Sequence, residues 1–342
     1  MNIKTIALCL AAMALGQQAA AQSLPPPLNQ EGGQIALVRY LSTGDFMSSY
    51  FDGAERQADA LGLTVLDFDS LEDADRQASM IDEAISKGVG GIIVQLGDAQ
   101  SLQEATERAV EAGIPVIATG VDLANPAIPQ VEQNDEELAR LVLQQAVDDL
   151  GESFTAGYVY VSGVEPLDRR DEVWRTFQAR FSGIDQIAEW GSLEAPIAQS
   201  VSNQTADALR ANPGIGMIFA PFDEFARGVN TAVNDAGLSD LVRIYSVDIS
   251  TSDIQEMTAR DSAWVATAAT DASLIGEVSV RALAMLMVGE DPGTLVTIPP
   301  TLITRQMLVR HDITNIEQLA ETEPSFAQTD VATPDWMPIP TR

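Results

Sequence analysis

GGIIVQLGDAQSLQEATERAVEAGIPVIAT, residues Gly90–Thr119, returns in altered form as IGMIFAPFDEFARGVNTAVNDAGLSDLVRIYSVD, residues Ile215–Asp248. Each copy is a short apolar run, a polar loop, a stretch of helical period, a glycine and a second apolar run. Gly91 aligns with Gly216, Asp98 with Asp223, and Gly113 with Gly237 after one gap. A buried strand followed by an amphipathic helix, repeated, builds a parallel sheet covered on both faces. One such unit at equivalent places in two halves is too few for a solenoid. It predicts two similar doubly wound α/β lobes.

The pattern extends both ways from these copies. Ile35–Tyr40 and Thr64–Phe68 read as further strands, Met47–Leu61 and Asp75–Lys87 as helices, and Gly62, Gly88 and Gly113 as the left-handed residues that stop helices. A second series runs from Gly157–Ser162 through the helices Arg169–Phe181 and Ile197–Ala211 to Val242–Val247. Asp271–Val288 reads as a late helix and Thr297–Leu308 as a late strand region. If late pieces complete each lobe, the chain crosses between lobes several times and forms a hinge. The expected division is residues 35–133 plus about 270–292 for the first lobe, 134–269 plus about 293–310 for the second, and a tail over 311–342.

Residues 1–21 carry one lysine, an apolar run over Ile6–Leu15 and small residues before Gln22, the pattern of a secretory signal peptide. Residues 22–34, with Pro25-Pro26-Pro27 and Gly32-Gly33, read as a flexible leader. The one cysteine, Cys9, lies inside the signal, so the chain after it offers no disulfide, thiol nucleophile or thiolate ligand. A lone histidine, His311, argues against zinc sites and nucleophile–histidine pairs. With 19 Lys+Arg against 50 Asp+Glu, a net charge of −31, the chain is a poor partner for nucleic acid or anionic membrane. No metal or other cofactor is expected. The acidic run Asp67, Asp69, Glu72, Asp73, Asp75 lacks the central glycine of a calcium loop and reads as solvated charge.

In open parallel sheets, ligands bind beyond the carboxyl ends of the strands. Tyr40, Phe46, Met47, Gln95, Asp122, Phe222 and Asp248 all fall at or just past such ends. Phe46 suits the C–H face of a sugar or an aromatic base; Asp248 can accept from two adjacent hydroxyls. Arg169 or Arg170 offers a guanidinium fork for vicinal hydroxyls or a carboxylate. Asp223, just before a helix, reads as an N-cap, and Trp174 as core.

These residues together resemble the type I periplasmic binding proteins of the ribose and galactose class, over roughly Ile35–Leu308. The likeness rests on the polar loop with Phe46-Met47, Asp52-Gly53, RQASMIDEAISKGVGGIIV (Arg76–Val94), GIPVI (Gly113–Ile117), Phe222-Asp223-Glu224 and the strand ending in Asp248. It implies a receptor that closes two lobes over a small polar solute, a monosaccharide or polyol, and hands it to the membrane permease of an ABC importer. It also implies a periplasmic, non-enzymatic role; with no exposed apolar stripe of heptad spacing, a monomer is the default. By the same likeness, Phe46 and Met47 stand where an aromatic pair stacks on the sugar, Gln95 at a polar strand end, and Asp248 at the family's strand-ending aspartate. The family's aspartate–arginine pair after GIPVI is replaced by Gly120-Val121, with Asp122 displaced. Its helix arginine falls near Arg169 and Arg170, while strict spacing puts Asp171 there. Its asparagine before Asp-Glu is Phe222, and its hinge glutamine is Thr270. Two rival readings stay open: a secreted receptor for a nucleoside or signal molecule, favoured by Phe222, and a glycosidase using Asp122 with Asp248.

Overall fold

The structure, a computed structural model, describes residues 24–327 and 330–340; the signal expected over residues 1–21 lies outside them. The first half runs β1 (Gly33–Arg39), α1 (Asp45–Ala60), β2 (Leu63–Asp69), α2 (Ala74–Lys87), β3 (Ile92–Gln95), α3 (Ala99–Glu111), β4 (Val116–Thr119) and β5 (Gln130–Glu132). The second half runs α4 (Asp135–Leu150), β6 (Ser153–Val159), α5 (Glu165–Arg180), β7 (Gly183–Trp190), α6 (Ile197–Ala211), β8 (Met217–Ala220), α7 (Asp223–Asp235), β9 (Arg243–Val247), α8 (Thr251–Thr258) and β10 (Trp264–Ala269). Then follow α9 (Ala272–Met287), β11 (Leu295–Thr297), β12 (Thr301–Thr304), α10 (Arg305–Arg310) and α11 (Ile316–Thr322). Two six-stranded sheets result, ordered β11-β5-β4-β3-β1-β2 and β12-β10-β9-β8-β6-β7. All pairings are parallel except β10 with β12.

The local signals act as the sequence suggests. Gly62, Gly88, Gly113 and Gly237 sit at φ of +70°, +70°, +76° and +67°, ending their helices in the left-handed region. Asp98 caps α3 by accepting from the Ser101 amide at 2.7 Å. Its counterpart differs: Phe222 is the N-cap of α7, and Asp223 lies one residue inside, fully buried. Trp174 is core, as expected, and its indole donates to Gln186 Oε1 at 2.6 Å.

The chain passes between sheets at residues 133–134, 270–271 and 298–300. The third crossing comes later than expected, because β11 pairs with β5 in the first sheet. Residues 305–308, expected as strand, instead fall in α10. Helix α4 and strand β5 were not foreseen. Residues 26–29, expected to be a flexible leader, make a turn whose Leu28 is buried against the core.

The tail adds a fourth connection. After α11 beside the second lobe, it returns to the first: Arg281 Nη1 donates to the Val331 carbonyl at 3.3 Å, Gln57 Nε2 to the Pro338 carbonyl at 2.8 Å, and Trp336 Nε1 to Glu290 Oε1 at 2.9 Å. Under it, α1 and α9 pack almost backbone to backbone. A Cβ at Gly53 would stand 1.9 Å from the Ser273 carbonyl oxygen, and one at Gly276 2.0 Å from that of Tyr50. The Asp52-Gly53 dipeptide is thus a site of close helix approach, which seats Tyr50 and Ile275 at the cleft.

Candidate ligand-binding site

The strand tips of both sheets face one cavity of about 90 Å³ between the lobes. From the first lobe, Tyr40 follows β1, Phe46 and Met47 occupy the first turn of α1, and Gln95 ends β3. Phe46 and Met47 therefore line the cavity from a helix start; they are not loop residues, and both are buried. Gln95 Nε2 approaches Met47 Sδ at 3.1 Å, while its amide oxygen is buried without a protein partner. A buried acceptor left open beside a cavity is placed to receive a solute hydroxyl. Tyr50 is held by Thr119 and Ser279, at 3.3 and 3.2 Å from its hydroxyl.

From the second lobe comes a buried charge network. Arg170, 2% exposed, donates Nε to Asp135 Oδ1 at 2.9 Å, and Nη1 to the Pro221 carbonyl at 2.6 Å and Asp248 Oδ2 at 3.1 Å. Its Nη2 lies 2.7 Å from Asp135 Oδ1. Asp248 holds φ at +73°, the left-handed region, which aspartate tolerates better than most residues. Its other oxygen accepts from Gln133 Nε2 at 3.2 Å. Burial pushes the Asp248 and Asp135 carboxyls above their usual range, with Arg170 opposing in each case. Burial alone would lower the arginine, but Asp248 and Asp135 outweigh it and raise Arg170 above its ordinary value. Buried charges persist only when paired, and Arg170 is paired with both Asp135 and Asp248.

The remaining wall is mostly apolar, with Leu41, Leu96, Val131, Val164, Leu167, Leu193 and Phe222. Phe222 sits edge-on to Phe225, ring centroids 5.3 Å apart. Glu72, at φ +62°, stands at the rim beside Tyr40; burial first, then Glu72, raises the tyrosine pKa.

Three candidates fall elsewhere. Asp122 is exposed, outside the cavity, and accepts from Gln130 Nε2 at 2.6 Å. The turn at Gly120, φ +66°, leaves Gly120 at the cavity in its stead, so an Asp122–Asp248 catalytic pair is not formed. Arg169 does not line the cavity; it bridges to Glu132 at the end of β5 and to Glu165 at 3.2 Å, bracing α5 against the first lobe. Asp171, the alternative by strict spacing, pairs with Arg175 at 2.6 Å. Thr270 also lies outside, its hydroxyl donating to Gln133 Oε1 at 2.8 Å. In exchange, Gln133, Asp135, Tyr50 and Glu72 line the cavity without having been foreseen. Of the acidic run, Asp67 is gripped by Arg39 at 2.8 and 2.6 Å and Asp73 caps α2, so these are built-in charges as well as solvated ones. No group of acidic, His or Cys residues among the described residues could hold a metal ion.

Residues 35–291 match the family model described as periplasmic binding protein domain. The chain belongs to the periplasmic binding proteins. A similar solved structure is the 5-methylthioribose transporter solute-binding protein of Thermotoga lettingae in complex with 5-methylthioribose, at 34% identity and TM-score 0.89, covering 92% of this chain and 98% of that one. A sugar ABC transporter protein of Yersinia enterocolitica follows at 26% identity and TM-score 0.86, covering 90% and 94%. Among curated relatives, the ribose import binding protein of Bacillus subtilis is 24% identical over 81% of this chain and 89% of its own length. This periplasmic binding protein therefore has the type I architecture of two lobes, and its relatives are receptors of sugar importers.

Proposed function

We propose that the chain is the periplasmic receptor of an ABC importer for a pentose-class sugar carrying an apolar substituent, with a 5-alkylthio ribose as the leading candidate. The observation that carries this reading is the division of the cavity. Arg170, Asp248 and Gln133 form one buried polar network suited to vicinal hydroxyls; the rest of the wall is mostly apolar, with Gln95, Thr119, Glu72 and Glu132 set into it, and a bare polyhydroxy sugar would leave that apolar surface unmatched. The 5-methylthioribose held by the similar Thermotoga lettingae protein is a sugar of this kind. The solute is bound and released unchanged, closure follows from its better fit to the closed form, and the two lobes present that form to a membrane permease as a monomer. Export by residues 1–21 delivers the chain to the periplasm.

A thermal-shift screen with 5-methylthioribose, D-ribose, D-apiose, myo-inositol and adenosine tests the reading. A hundredfold excess over Kd stabilises the native state by about 2.7 kcal/mol, so the alkylthio sugar is expected to give the largest shift. A larger shift with adenosine would favour a nucleoside receptor. Recovery of the sugar chemically altered, by mass spectrometry, would contradict a receptor.

A further inference from the structure

Two of the inter-lobe crossings meet at one side chain. Gln133 belongs to the first crossing and Thr270 to the second, and the threonine hydroxyl donates to Gln133 Oε1 at 2.8 Å. The same amide donates through Nε2 to Asp248 Oδ1 at 3.2 Å, at the tip of β9 in the second lobe. Gln133 also lines the cavity. Gln133 and Thr270 are 8% and 1% exposed, so each polar end needs a partner. Because Thr270 fixes the oxygen end, the NH2 group must face Asp248. One of its two protons goes to that carboxylate, and the other remains for a solute oxygen. From Gln133 the network continues to Arg170 and Asp135, and Asp135 returns through Asn134 to Gln133. Hinge, second lobe and cavity are joined in one ring.

We propose that Gln133 is the positioning residue through which the bound solute sets the angle between the lobes. Its solute contact rests on the sugar-receptor reading above; its hinge role does not. Where the resemblance placed a hinge glutamine, at position 270, threonine stands, and the amide comes from the opposite crossing. Thr270 then acts through Gln133 without touching the solute.

The test has two arms. Apart from Cys9 the chain has no cysteine, so nitroxides at Ser86→Cys on α2 and Asn203→Cys on α6, both exposed helical positions, report the inter-lobe distance alone. In solute-free protein, Gln133→Leu is expected to broaden and lengthen the distance distribution, with Thr270→Val shifting it the same way by less. Calorimetry with 5-methylthioribose and D-ribose is expected to show a loss of about tenfold or more for Gln133→Leu and about threefold for Thr270→Val, losses on the scale of one hydrogen bond or less. Distances unchanged in Gln133→Leu overturn the hinge role, and affinity unchanged in a protein whose wild type binds overturns the coupling. Should the wild type bind neither sugar, the solute reading fails while the distances still decide the hinge role. If Gln133→Leu does not fold, Thr270→Val, which leaves every cavity-lining residue in place, decides both arms.

Discussion

The two walls of the cleft are built from different chemistry. The first lobe presents mainly Phe46, Met47, Tyr50 and Gln95, neutral groups shaped by a helix start and a strand end, with the carboxylates Glu72 and Glu132 beside them. The second presents Arg170, Asp248 and Asp135, charges held by one another. Shape is tolerant of small changes because neighbours adjust, whereas a buried charge stripped of its partner has nothing to replace it. The lobes should therefore differ in how much a single substitution costs, more at the charged wall than at the neutral one.

The largest effect is expected at Asp248. Asp248→Ala removes one partner of a buried hydrogen-bonded pair, a change worth about 2–5 kcal/mol; calorimetry should find sugar binding weakened at least about thirtyfold, while circular dichroism shows a folded protein. Retained affinity would erase the contrast between the walls. Phe46→Ala is expected to cost about 1.5–3 kcal/mol of apolar contact, and to weaken an alkylthio sugar and ribose alike if the ring stacks on the sugar face. Gln95→Leu should lose about 0.5–1.5 kcal/mol, less than either of these. Asp122→Ala, outside the cavity, should change nothing measurable in the same titration.

Two buried carboxyls of the second lobe also predict a pH response. Asp253, buried at the start of α8, is raised to about 7, burial leading and Ser250 opposing. Arg227 at 3.8 Å is its nearest cation, shared with Asp45, Glu224 and Glu256. Asp223 is raised too, by burial and then by Asp253. A carboxyl whose folded pKa exceeds its unfolded value binds more protons when folded, so its contribution to stability falls as pH rises from about 4 to about 7. Asp253→Asn is therefore expected to melt a few degrees above wild type at pH 8 and level with it at pH 5. The reverse order would refute the assignment.

Much of this was legible in sequence, for local reasons. The parallel lobes follow from alternating buried runs and amphipathic stretches, and the glycine helix stops need only their own φ. Asp248 was readable because it directly follows a buried strand and so must stand at its tip. Asp122 was misplaced because the Gly120 turn intervenes, and a turn's direction is not written in hydrophobicity. Arg169 and Arg170 could not be separated: neighbours on a helix point about 100° apart, and only packing shows which faces the cleft. Gln133 stayed hidden because its meaning depends on Thr270 and Asp248, both far away in the chain. The tail was legible only as proline-rich; its docking on Gln57 and Arg281 is a tertiary fact.

Titration calorimetry of the wild type with 5-methylthioribose and with D-ribose, side by side, addresses the central claim most directly. A buried methylthio group adds about two apolar groups at about 0.8 kcal/mol each, so the thio sugar is expected to bind about tenfold or more tightly. Equal affinities, or a preference for ribose, would contradict an apolar wall that reads the substituent.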